Sequence, residues 1–86
     1  MNYSENRILL LKYTNSKGGI DRNYYDENRK QFKQISNHDH GHKKESKFGN
    51  HGEHAHDYYL DDNGKPQHDE ARELTDKEIE ENGDIL

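Results

Sequence analysis

The chain has no cysteine, so no disulfide framework can staple it, and zinc sites built on thiolates are excluded. Tryptophan and valine are absent and proline occurs once. Leu, Ile and Phe together make up thirteen of 86 residues, under the roughly one-fifth below which chains struggle to form a core. The longest apolar run, Ile8-Leu9-Leu10-Leu11, is far short of the ~20 residues that cross a bilayer. The opening Met-Asn-Tyr-Ser-Glu-Asn lacks the ~7–15-residue apolar region of a secretory signal. The expectation is a cytoplasmic chain with no membrane partner.

What is present must therefore carry the fold. Six tyrosines enlarge the core supply, because each has a large apolar ring with a polar tip. A net charge of −5 is too small for repulsion to prevent folding. At this length one small domain is expected. Charge is divided unevenly: residues 1–50 hold ten Lys/Arg against six Asp/Glu, and residues 51–86 hold three against twelve. Such asymmetry suits halves that attract each other or a charged partner. Tyr24, Tyr25, Arg29, Lys30 and Lys33 have the mixed aromatic and basic style of a nucleic-acid surface. The acidic second half argues against nucleic acid as the main partner, and a protein partner is expected.

Periodicity predicts an α+β miniature: a small antiparallel sheet of three to five short strands, a His-rich loop and a short C-terminal helix. Residues 1–36 read as a β-meander, with Leu9, Leu11 and Tyr13 on one face of its first strand and Ile8 and Leu10 on the other. Ile20 to Tyr25 and Gln31 to Ser36 follow as strands, separated by turn signals. Residues 37–53 read as a polar loop. A hairpin over 54–68 turns at Asp61-Asp62-Asn63-Gly64, where Asn-Gly suits positive φ angles, and Pro66 confines the returning strand to an edge. Residues 69–86 form an acidic segment with a helix at about 75–82. Thr75 at N-cap and Glu78 at N3 predict a capping box, Leu74 and Ile79 a hydrophobic staple, and Gly83 a left-handed stop. Two turns are not stable alone, so Leu74, Ile79, Ile85 and Leu86 are expected to dock on the sheet.

All seven histidines fall between positions 38 and 68. On an extended chain alternate residues face the same way, so His54 and His56 point together, as would His38, His40 and His42. Neutral imidazole is the commonest metal ligand, and clusters with nearby carboxylates suit zinc or another divalent transition metal. The expected ligands are His54 and His56, joined by His51 and His40, with Asp39, Glu53 or Asp57 as further ligands or tautomer-fixing partners. Stricter motifs do not match. His51-Gly52-Glu53-His54 spaces its histidines three apart, where a zincin helix needs four. His54-Ala55-His56 lacks the glutamate that follows the histidine pair in cupins.

Two function classes compete. One is a non-catalytic assembly or interaction module with a histidine-based metal site, which a thin core, a sheet edge, tyrosine-rich surfaces and divided charge all suit. The other is a toxin-type metal-independent ribonuclease, in which a pair from His51, His54 and His56 acts as general acid and base. Lys43, Lys44, Lys47 or Arg72 would then stabilise the phosphorane-like charge. The first makes fewer demands and is the expectation.

Several stretches resemble a known group of proteins. Tyr25-Asp26-Glu27-Asn28 with Lys33-Gln34-Ile35, then Asp39-His40-Gly41-His42, Gly49-Asn50-His51-Gly52-Glu53-His54-Ala55-His56-Asp57-Tyr58 and Arg72-Glu73-Leu74-Thr75, are similar to small uncharacterised proteins of Gram-positive bacteria. They also resemble the C-terminal ends of phage head-morphogenesis and other mobile-element proteins. The resemblance covers roughly residues 24–86 and implies a bacterial or phage setting, without a catalytic motif to carry over. It departs at Asn28-Arg29, where the pattern leads one to expect Asn-Gly.

Overall fold

The computed structural model describes residues 8–39, 47–49 and 51–86. Five strands, β1 (Leu9–Thr14), β2 (Ile20–Tyr25), β3 (Gln31–Ser36), β4 (His54–Leu60) and β5 (Pro66–His68), precede one helix, α1 (Asp76–Glu81). The strands lie in sequence order in a single antiparallel sheet, as the α+β expectation requires. No helix among the described residues is long and apolar enough to cross a membrane.

Three of the hairpin turns are built alike. Asn15, Asp26 and Asp61 each receive a main-chain N–H from the residue three on and give their own N–H to the carbonyl four on. Each side-chain oxygen accepts two further N–H groups within the turn, the local bonding that favours Asn and Asp there. The fourth position is left-handed in all three: Gly18 (φ 85°), Arg29 (φ 64°) and Gly64 (φ 76°). The Asn63-Gly64 turn thus differs from the tight two-residue form expected, since Gly64 alone has positive φ. Three-residue loops of this kind match the twist of the flanking strands.

Register sorts the side chains into two faces. Lys12, Arg22, Ile35 and Ala55 stand in one row across β1 to β4, as do Leu11, Asn23, Gln34 and His56 on the reverse. A bulge between Tyr24 and Tyr25 inserts Phe32 into the pairing. Bulges re-aim side chains, and here Phe32 meets Tyr24 edge-on, ring centroids 5.9 Å apart, while Lys33 Nζ lies 4.5 Å from the same ring.

The helix packs on the face that carries Tyr24 and Ile35. Tyr24, Ile35, Ala55 and Ile85 form the buried core, with Ile20, Phe32 and Leu74 packed against it. The capping box at Thr75 and Glu78 is formed in both directions. Gly83 does not provide the expected left-handed stop: the cap is Asn82, with φ −112°, and its fully buried side chain donates to Tyr24 Oη and to the Glu78 carbonyl, each at 2.9 Å. Docking is also more polar than expected. Ile85 is buried, but Ile79 and Leu86 stay 48% and 42% exposed, and ions do much of the fastening. Arg72 grips Asp57 through Nε and Nη2 and Glu78 through Nη1 and Nη2, at 2.7–3.0 Å. Lys33 adds a contact of 3.0 Å to Glu78, and Arg22 reaches Asn82 and Asp84.

Candidate functional site: the histidine face and the open edge

The face turned away from α1 has a composition unlike the rest of the chain. Lys and Arg of the strands (Lys12, Arg22, Lys33) sit on the helix face, so the reverse is left with Asn, Gln, His, Tyr and Leu. Although 36% of the chain is charged, Asp21 is the one charged side chain at the strand positions of this face. His38 Nε2 lies 3.2 Å from its Oδ1. The acidic residues of the second half lie mostly in the segment around α1 and leave the histidine side nearly neutral.

A row of rings runs along β4 and β5. Phe48 and His54 are 6.4 Å apart at their centroids, His54 and His56 5.0 Å, His56 and His68 5.0 Å, and His68 and Tyr58 5.2 Å. The expected side-by-side placement of His54 and His56 is therefore present. His68 joins them because Tyr58 pairs with it across the hairpin, a neighbour that sequence spacing alone does not reveal. Lys47 Nζ lies 5.2 Å from the Phe48 ring, placing one cation at the end of the row.

Backbone carbonyls set the ring tautomers. A carbonyl only accepts, so a ring nitrogen bonded to one must carry its proton. His54 Nδ1 donates to the Gly52 carbonyl at 2.8 Å. His56 Nδ1 and His68 Nδ1 both donate to the Asp69 carbonyl, at 2.9 and 3.1 Å. In each neutral ring Nε2 is then the basic nitrogen. His54 is fully buried, His56 half-buried and His68 exposed. Tyr58 is held above the ordinary tyrosine range, chiefly by burial and then by the charges of Asp21 and Tyr25, which keeps its hydroxyl a neutral donor.

The other expected site residues lie elsewhere. His51 lines a cavity of about 570 Å³ on the helix side with Glu53, Leu74, Ile79 and Leu86. Gly52, beside His51, has φ 81°, and a Cβ on it would stand 2.6 Å from that of Asp39. Arg72 is committed to the helix side. His40, His42, Lys43 and Lys44 lie outside the described residues. Among the described residues, no three His, Asp or Glu side chains gather as a group able to hold a metal. The Asp69 carbonyl accepts from Nδ1 of both His56 and His68, so Nε2 is the nitrogen that each ring has left to exchange a proton or meet a ligand.

A second feature stands at the opposite side of the sheet. β1 is an edge strand, and Ile8, Leu10, Leu11 and Tyr13 are 43%, 48%, 48% and 63% exposed. Among the described residues no strand pairs with its outer side. An apolar edge of this kind is a template for another strand. Compared with protein-family models, curated proteins and solved structures, the chain matches none.

Proposed function

We propose that the protein is an assembly module that joins a second copy of itself along β1, in the phage or mobile-element setting that residues 24–86 resemble. The observation that carries this reading is the exposed apolar edge strand, Ile8 with Leu10, Leu11 and Tyr13. The strand is also self-complementary. Antiparallel pairing about a two-fold axis at Leu11 sets Leu11 against its twin, Leu9 against Tyr13, and Leu10 against Lys12. Lys12, the one charge on β1, then meets an apolar chain and never its own copy. A two-fold contact of this kind closes on itself and does not propagate, and it removes the open edge.

Sedimentation velocity tests the reading directly. The protein should be a dimer at high concentration, and Leu11→Lys and Leu11→Glu should each be monomeric, because like charges directly opposite destabilise a strand pair. Mixing the two variants should restore a dimer. A monomer across the whole accessible range, or dimers indifferent to both substitutions, would overturn it.

A further inference from the structure

The outer edge of the sheet opposite β1 carries chemistry for which assembly has no use. We propose that His56 and His68 form a general acid–base pair that cleaves single-stranded RNA without a metal. The two rings are 5.0 Å apart at 78°, and one carbonyl, that of Asp69, orients both through Nδ1. That carbonyl is itself fixed, because the Asp69 N–H is bonded to the Asp57 carbonyl at 2.9 Å. Both rings therefore present Nε2 for proton exchange, in the way that a base oriented by a third group is prepared for catalysis.

RNA suits such a pair because it brings its own nucleophile. One imidazole takes the proton of a ribose 2′-hydroxyl, the oxygen attacks the adjacent phosphorus, and the bond from phosphorus to the 5′-oxygen breaks. The second ring, entering as imidazolium, gives its proton to that leaving oxygen. The products are a 2′,3′-cyclic phosphate and a 5′-hydroxyl, and no oxidant, metal or other co-reactant is required. Around the pair the sheet offers what an uncharged base needs. Tyr25 and Tyr58 are flat surfaces for stacking. Gln31 and Gln34 both donate to Asn23 Oδ1, at 3.1 and 2.8 Å, so all three amides have set orientations. The near-absence of strand cations on this face implies that phosphate is held mainly by imidazolium, so cleavage should depend weakly on salt compared with proteins that bind through many Lys and Arg.

The experiment is incubation of the full chain with an end-labelled single-stranded RNA in EDTA, from about pH 5 to 8. The expected result is fragments ending in 2′,3′-cyclic phosphate, with a bell-shaped pH profile and no cleavage at a 2′-deoxy position. His68→Ala, at an exposed position, should lower the rate roughly a hundredfold or more. His56→Asn should do the same while keeping an N–H donor to the Asp69 carbonyl, so that its fold is kept and only the basic nitrogen is lost. His51→Ala, in the helix-side cavity, should retain the wild-type rate, and so should the monomeric Leu11→Lys variant, which separates this activity from assembly. Absence of cleavage by the folded protein, cleavage abolished by EDTA, or cleavage that survives both His56→Asn and His68→Ala would overturn the proposal.

Discussion

Arg72 ties the segment ahead of the helix to both the sheet and the helix. It stands in a bridge with Ala55, with main-chain bonds of 3.0 and 2.9 Å in both directions, while its guanidinium reaches Asp57 on the sheet and Glu78 on the helix. Only arginine offers paired donors in a rigid fork able to serve two carboxylates. The consequence is electrostatic. Glu78 is held down to about 2, first by the hydrogen bonds from Arg72, against burial and with help from the Thr75 main chain and Lys33. Asp57 is also lowered, chiefly by Arg72. A carboxylate whose folded pKa is depressed stabilises the fold above its ordinary value of 4.5, and that stabilisation is lost as pH falls toward 2. For Glu78 the effect is on the order of 3 kcal/mol. Thermal melts of Glu78→Gln should show a loss of that size at neutral pH, and the stability gap from wild type should close across this acid window. None of this was legible in the sequence. Arg72 and Glu78 could be recognised as charged, and Glu78 as a cap, but the fork depends on strand β4 passing beside residue 72.

The elements themselves were largely legible, because their signals are local. Strand boundaries followed from apolar alternation and turn residues, and the helix from the Thr75–Glu78 box. The helix's attachment was legible only in part: of the four apolar residues expected to dock, Ile85 is buried and Leu74 packs on the core, whereas Ile79 and Leu86 stay exposed and Asn82 and Glu78 do much of the fastening. Polar docking leaves no periodic signature. At the site, the pairing of His54 with His56 follows from strand alternation, whereas His68 enters through hairpin register, and register depends on the turn. The departure at Arg29 has a physical cost. Left-handed backbone is unfavourable for a residue with a Cβ, yet Arg29 occupies the position that Gly18 and Gly64 fill in the sister turns. Arg29→Gly should stabilise the protein by about 0.5–1 kcal/mol in urea titration, the strain relieved being partly offset by the greater freedom of glycine in the unfolded chain. Arg29→Ala keeps the Cβ and should show little of that gain.

The whole molecule combines two kinds of connection. Every strand pairs with its neighbour in sequence, by tight turns at three of the four pairings and across residues 37–53 between β3 and β4. The helix is tied to the sheet by bonds that span 58–62 residues, from Arg22 and Tyr24 to Asn82 and Asp84. Bringing such distant segments together costs more chain entropy than closing a tight hairpin, and the apolar area that rewards it is small. Native-state hydrogen exchange should divide the amides accordingly. Those of β2 and β3 should open only with global unfolding, and those of α1, including Ile79 and Asn82, should open at lower free energy. Equal protection across both groups would mean that the helix and sheet unfold as one unit. If they part as expected, the partly opened protein would keep its row of rings along β4 and β5, with the Tyr24 and Ile35 side briefly wetted, so proton-transfer chemistry at that row could outlast the detachment of the helix.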